Sequence, residues 1–287
     1  MKILSWNVNG RVRKACQRQL EAVIDENPDV LALQEVTATS YPVWAEGLKA
    51  AGYHVLSTLD LVGRPYHGVG RRSKRPIKRK YFNLVAAREP MTTLPELSFP
   101  DPEQARVAFP EKYLAATVVA DGVEIDVHNA HLPPGSTRGI IKVHAFQAIR
   151  RGVDHPTSRP RILCGDFNTP LAEDADGVTP AGRNHPGLRD EWEAAERAIL
   201  CNPELRDVYR EVHPAGEPYP ASHFTRGTPR RYDHIYASQE LEVGRCRYLT
   251  EWLEKRLSDH APVEAELSVR TGAGSPDPDQ IADRRGE

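Results

Sequence analysis

The chain has 287 residues, 39% hydrophobic and 27% charged, the profile of a folded, water-facing protein of one large core or two small ones. Its 38 Lys and Arg against 40 Asp and Glu leave a formal charge of -2, which excludes bulk-charge coating of nucleic acid but not a local basic patch. No run approaches the ~18 apolar residues of a membrane span, and the scattered Cys16, Cys164, Cys201 and Cys246 argue against a disulfide scaffold or thiolate zinc site, favouring a reduced cytoplasmic setting.

The first residues lack the apolar core of a secretion leader and read directly as a strand, Ile3 to Val8. Gln17 to Asn27 then places Leu20, Val23 and Ile24 at helical spacing before Pro28 stops it. Val30 to Leu33 is a second buried strand, Tyr41 to Ala51 a helix closed by Gly52, and Val55 to Leu59 a third strand. Gly63 to Lys80 interrupts this order with Arg64, Arg71, Arg72, Lys74, Arg75, Lys78, Arg79 and Lys80 and no acid. Glu89 to Pro110, punctuated by five prolines, reads as a surface excursion. Tyr113 to Val119 and Val123 to Ala130 flank Asp121-Gly122, a two-residue hairpin signal. Gly139 to Gly152 and Glu191 to Leu200 read as helices; Arg161 to Cys164, Tyr232 to Ala237 and Val263 to Val269 read as strands. Hairpins mixed with helical crossovers predict an α/β sandwich with mixed sheets. Residues 1–270 are expected to form one domain, and 271–287, rich in Gly, Pro and Asp, a tail unable to bury apolar surface.

The informative residues follow the strands. Ile3-Leu4-Ser5-Trp6 runs into Asn7-Val8-Asn9-Gly10, and Val30-Leu31-Ala32-Leu33 into Gln34-Glu35. Arg161-Ile162-Leu163-Cys164 runs into Gly165-Asp166-Phe167-Asn168, Tyr232 into Asp233-His234, and Leu257 into Ser258-Asp259-His260. His128, Asn129 and His131 precede Pro133-Pro134-Gly135. In layered α/β folds strand ends converge on one rim, where loops carry sites. Carboxylates and amides are hard oxygen ligands, suited to Mg²⁺ or Mn²⁺. Hydrolysis of a phosphodiester requires an activated water, charge neutralisation at phosphorus and a stabilised leaving oxygen. A metal on Glu35, a base at Asp166 and a histidine donor meet those three requirements.

Taken in order, Ser5-Trp6-Asn7-Val8-Asn9-Gly10, Leu33-Gln34-Glu35, Gly165-Asp166-Phe167-Asn168, Arg231-Tyr232-Asp233-His234-Ile235 and Ser258-Asp259-His260-Ala261-Pro262-Val263 resemble the endonuclease/exonuclease/phosphatase superfamily. The resemblance spans residues 3 to 263 and extends to exonuclease III-like and deoxyribonuclease I-like enzymes. It implies a four-layer sandwich of two mixed sheets flanked by helices, and metal-dependent phosphoesterase activity. By resemblance, Glu35 is the principal metal ligand, with Asn7 its neighbour and Asp259 a second metal-proximal carboxylate. Asp166 orients or deprotonates the attacking water, Asn168 holds the phosphate, and His260 contacts phosphate, oriented by Asp233. His131 stands where repair nucleases carry a tyrosine; a histidine there is closer to the deoxyribonuclease I and lipid-phosphoesterase branches, and can serve as general acid. Ala221 to Gly227 stands in place of the repair enzymes' tryptophan-rich segment, while Leu205 to Arg210 resembles their helix in that region.

Each residue also has a plainer reading. Asp166 and Asn168 are turn formers, Asp233 is a potential ion-pair partner of Arg231, and Asn9 either shapes the turn into Gly10 or touches substrate. His128, His144, His223 and His234 show no spacing of a separate zinc site and read as structural or surface residues. The basic run is either a solvated loop or a grip on a polyanion backbone through Arg71, Arg72, Lys74 and Arg75, with Tyr66, Tyr81 and Phe82 stacking on exposed bases. The leading expectation is a monomeric Mg²⁺-dependent DNA nuclease without membrane attachment. The alternatives are a small-molecule or lipid-headgroup phosphoesterase and an inactive binding module on the same fold.

Overall fold

The computed structural model describes residues 1–61, 67–69, 76–78, 80–94, 110–134, 139–174, 177–179, 186–214 and 220–270. Two six-stranded mixed sheets form its centre. The first runs β17 (Leu241–Tyr248), β18 (Val263–Val269), β1 (Lys2–Asn7), β2 (Val30–Val36), β6 (Phe82–Ala87), β3 (His54–Ser57). The second runs β13 (Leu205–Asp207), β16 (Asp233–Ser238), β10 (Arg161–Asp166), β9 (Val123–His131), β8 (Tyr113–Ala120), β7 (Met91–Thr93). Three small hairpins pair β4 (His67–Val69) with β5 (Pro76–Lys78), β11 (Ala172–Asp174) with β12 (Gly177–Thr179), and β14 (His223–Thr225) with β15 (Thr228–Arg230).

Each large sheet holds one parallel pair, β1 with β2 and β9 with β10, among antiparallel neighbours. A parallel pair needs a crossover, and the helices Arg13–Glu26 and Gly139–Val153 supply the two crossovers. Alternation sorts the side chains into layers. In β1, Ile3 packs between the sheets, whereas Leu4 and Trp6 pack with Cys16, Leu20, Val23, Trp44 and Leu48 of the outer helices. In β10, Ile162 and Cys164 face the inter-sheet core, and Leu163 joins Phe146, Ile149 and Trp192 on the other side. The layers are therefore helix, sheet, sheet, helix, the four-layer α/β sandwich that the sequence predicts.

A buried amide layer ties the two sheets together. Asn129 of β9 donates through Nδ2 to Leu33 O and Leu84 O, both at 2.9 Å, on two strands of the opposite sheet. Its Oδ1 accepts from Gln34 Nε2 at 2.9 Å, and Asn83 Nδ2 donates to Asn129 O at 3.0 Å. Hydrogen bonds are strengthened in a low-dielectric core; the donors of this layer are paired, while Gln34 Oε1 and Asn83 Oδ1 accept none.

Local chemistry accounts for the departures from the predicted elements. The first helix begins at Arg13, one turn before the apolar stripe starts, and ends at Asn27 in the left-handed region (φ 53°), where its N–H caps Val23 O. The third strand stops at Ser57, because Ser57 Oγ accepts from Leu59 N–H at 3.1 Å and starts the helical turn Thr58–Leu61. Leu205 to Arg210 divides into β13 and the short helix Val208–Val212, capped by the Asp207 carboxylate on the N–H groups of Tyr209 and Arg210. Phe82, expected to stack on bases, is instead buried within β6. Tyr66, Arg71, Arg72, Lys74, Arg75, most of the proline-rich excursion and the 271–287 tail lie outside the described residues.

Candidate active site

The inward-facing row of several strands ends in a polar residue at the same rim. Asn7 follows Ile3 and Ser5, His131 follows Val127 and Asn129, and Asp166 follows Ile162 and Cys164 at two-residue intervals. Asp233 shares the face of Ile235 and Ala237. The register pairs Asp166 with both His131 and Asp233 across neighbouring strands. Glu35 breaks the alternation, since strict period two would turn it outward with Leu31 and Leu33. The pairing of β2 with β6 slips between Leu33 and Val36, and Glu35 adopts φ 61°. Its Oε1 consequently lies 3.6 Å from His131 Nε2. Gly165 makes the approach of β10 to β9 possible: at φ 135°, an added Cβ would stand 1.8 Å from Ala130 O.

Asp166 is the hub. Its Oδ1 accepts from Asn168 N–H at 2.9 Å, and its Oδ2 from Asn7 Nδ2 at 2.9 Å and Asn168 Nδ2 at 3.2 Å. Asn168, held at φ 51°, also donates through Nδ2 to Leu132 O at 3.0 Å. His131 Nε2 and His260 Nε2 approach Asp166 Oδ2 to 3.7 and 3.9 Å. His260 Nδ1 donates to Asp233 Oδ2 at 2.8 Å, the acid–imidazole pairing expected from sequence. Arg231 is not the partner of Asp233; it pairs with Glu173 at 2.8 Å and Asp207 at 2.5 Å. The loop carrying His260 is fastened to β1, since Trp6 Nε1 donates to His260 O at 2.9 Å and Ser258 Oγ to Asn7 O at 2.7 Å. Asn9, at φ 52°, donates its N–H to Asn7 Oδ1 at 2.9 Å, so it both shapes the turn and orients the Asn7 amide.

The electrostatics divide the two imidazoles. Burial opposes the charged form of His260, but the Asp233 and Asp166 carboxylates outweigh it and push its pKa up to about 10. Burial, reinforced by the positive charges of Lys112, His260 and Lys142, holds His131 well below the usual imidazole range. Burial and then the Asp166 charge raise Glu35, against Lys112 and His260, which lower it. The Glu35 and Asp166 carboxylates and the Asn7 amide form a hard oxygen donor set, which fits Mg²⁺ or Mn²⁺.

Asp259 is exposed, and its carboxylate clusters with His223 and His260. His223 was missed from sequence. Its ring stacks on His260 with centroids 4.4 Å apart, and its Nδ1 donates to Asp259 O at 3.0 Å. The signal was its place in the segment that stands for the tryptophan-rich one; only the β14–β15 hairpin brings it to His260. Tyr81 and Lys80 are also at the rim, with Lys80 Nζ 2.9 Å from Tyr81 OH and Lys112 Nζ 5.9 Å from the centre of the Tyr81 ring. His234 is structural, buried with Nε2 2.9 Å from Thr169 O.

Comparison with known proteins agrees with this geometry. The family model described as Endonuclease/Exonuclease/phosphatase family matches residues 4–260. Exodeoxyribonuclease III of Haemophilus influenzae is 26% identical over 292 residues, spanning 93% of this chain and 100% of the relative. The exodeoxyribonuclease of Bacillus subtilis is 26% identical over 94% of this chain and 100% of its own length. Among solved structures, a 3' phosphatase, NExo, from Neisseria bound to product DNA hairpin superposes with a TM-score of 0.65 at 25% identity, covering 93% of this chain and 99% of that one.

Proposed function

The chain belongs to the endonuclease/exonuclease/phosphatase family, and from that premise we propose that it is a divalent-metal-dependent phosphodiesterase acting on DNA. The observation that carries this reading is the convergence on Asp166 of one amide from each sheet and two imidazoles of opposite protonation preference. The named relatives are DNA exonucleases, and one structural neighbour acts as a 3' phosphatase on DNA. Both support DNA over a lipid or small-molecule ester. No helix among the described residues is long and apolar enough to cross a membrane. A cytoplasmic monomer remains part of this proposal.

Glu35 and Asn7 would hold the metal, with Asp259, next to His260, as a further carboxylate near it; when bound, Mg²⁺ or Mn²⁺ supplies positive charge to the phosphate and the departing oxygen. Asp166, its lone pairs directed by Asn7 and Asn168, takes the proton of the attacking water. His260, kept as imidazolium by Asp233, donates from Nε2 to a non-bridging phosphate oxygen and neutralises charge that grows during attack. Asn168, expected from the resemblance to hold the phosphate, acts here through Asp166, because both hydrogens of its Nδ2 are given to Asp166 Oδ2 and Leu132 O. His131, held neutral, offers the leaving oxygen an N–H hydrogen bond rather than the proton of an imidazolium, unlike the general-acid role expected from the resemblance. Asn9 orients Asn7, and Arg71, Arg72, Lys74 and Arg75 provide counter-charge to the DNA backbone.

The test is metal-dependent cleavage of labelled plain duplex, abasic-site duplex, single strand and a 3'-phosphate end, with a salt titration and Asp166→Ala alongside. We expect cutting that Asp166→Ala abolishes while DNA affinity persists. Undiminished turnover in that variant refutes the assignment of Asp166. Hydrolysis of a generic phosphodiester with no DNA cut would transfer the reading to small phosphoesters.

A further inference from the structure

Lys142 lies on the helix Gly139–Val153 and has no exposed surface. A fully buried lysine is rare without dedicated partners. Its Nζ donates to Asn168 O at 2.6 Å, and the rings of Phe146 and Trp192 lie 5.6 and 5.9 Å away. Glu196, equally buried, comes from the helix Arg189–Leu200. It accepts from Trp192 Nε1 at 2.8 Å and from Thr169 Oγ1. Two outer helices therefore insert opposite charges beneath the same pair of residues, Asn168 and Thr169, from behind the sheet that carries Asp166. Beyond the contribution of the Lys142 charge to keeping His131 neutral, the chemistry described above gives neither group a role.

We propose that Lys142, backed by Glu196, is a positioning residue that fixes the Asn168 peptide and thereby the aim of Asp166. Asn168 sits in the small left-handed region, which few non-glycine residues adopt, so its backbone conformation must be held by its surroundings. Its side chain and its own N–H make two of the hydrogen bonds that orient Asp166. Pinning Asn168 O from below fixes the loop without occupying the rim that substrate needs. Burial pulls the Lys142 ammonium down to about 8, with the Glu196 and Asp166 carboxylates opposing that fall, so the clamp carries its charge below about pH 8. An apolar pair of the same volume would usually stabilise the fold equally well; a buried charge pair at this loop therefore points to geometry rather than stability.

This inference rests on the role of Asp166 proposed above. The test measures kcat and KM on the preferred DNA substrate and on an aryl phosphodiester, with thermal unfolding of every protein. Lys142→Met combined with Glu196→Gln removes both charges and leaves no unpaired ion. Lys142→Arg retains the charge but displaces the donor from Asn168 O, so a second readout exists if the double variant does not fold. We expect folded variants whose kcat falls about 10²-fold, the scale of a misplaced catalytic group, with KM and DNA affinity unchanged. Parental kcat in either folded variant overturns the role of Lys142, as does a loss confined to stability. Retained hydrolysis in an Asp166→Ala control would instead overturn the site assignment itself, so the two failures are distinguishable.

Discussion

Replacing Asp233 with Asn isolates the source of the His260 charge. Asp233 is buried and accepts from His260 Nδ1 at 2.8 Å; Asn keeps the shape and an acceptor but removes the negative charge. In the parent, burial lowers His260 while Asp233 and Asp166 raise it to about 10, so the imidazolium persists across the neutral range. Once the Asp233 charge is gone and a bound cation offsets Asp166, His260 falls to its ordinary 6.5 or lower. At pH 8 a group of pKa 6.5 is only about 3% protonated, so kcat/KM should drop about 30-fold. At pH 6 about three quarters of the imidazole is protonated, and the loss shrinks to about 1.3-fold. The sign is fixed: the active form is the acid, so the variant loses activity as pH rises, and its basic limb moves to lower pH. The assay is kcat/KM from pH 6 to 10 at saturating Mg²⁺. A basic limb superimposed on that of the parent, or a loss equal at every pH, would refute the reasoning.

Asn129→Leu should unfold earlier without changing the rim. It takes the Asn129 donor from Leu33 O and Leu84 O, at about 1–3 kcal/mol for each group left buried and unpaired, while Gln34 Nε2 keeps Ser5 Oγ and Ala32 O. The total of about 2–6 kcal/mol corresponds to a midpoint lower by about 10 °C in a chain of this size, measurable by calorimetry; a fall of under about 2 °C would mean the amide layer does not join the sheets. Lys112→Met removes the charge that holds Glu35 down against burial and Asp166. Glu35 then binds its proton more tightly, so the Mg²⁺ concentration for half-maximal activity should rise more steeply than in the parent as pH falls from 8 to 6. An unchanged metal titration at both pH values would exclude that coupling.

The sequence carried the layers and the rim because both follow from period two. Ile3-Ser5-Asn7 and Ile162-Cys164-Asp166 are single inward rows whose last member is polar, so one reading yields both core and site. Glu35 was found from its motif rather than from its phase, since only the slipped pairing of β2 with β6 turns it inward. β6 went unread because Phe82-Asn83-Leu84-Val85-Ala86-Ala87 is buried on both faces and shows no alternation. β17 went unread because Glu242, Arg245 and Arg247 interrupt its apolar residues and its register shifts at Val243. His223 and Lys142 were illegible for another reason. Each acts through a partner more than twenty residues away, Asp259 O for one and Asn168 O for the other. A lysine on an amphipathic helix gives no local sign that it points inward.

The amide layer has a consequence for the life of the chain before it is complete. Asn7 and Glu35 belong to one sheet, while His131, Asp166 and Asp233 belong to the other. His260 lies just ahead of β18, near the end of the described chain. Asn129 joins the two sheets through its amide, which donates to Leu33 O and Leu84 O. A chain whose sheets are not yet docked therefore holds the separate parts of the site but not the geometry around Asp166, to which Asn7 reaches from the other sheet.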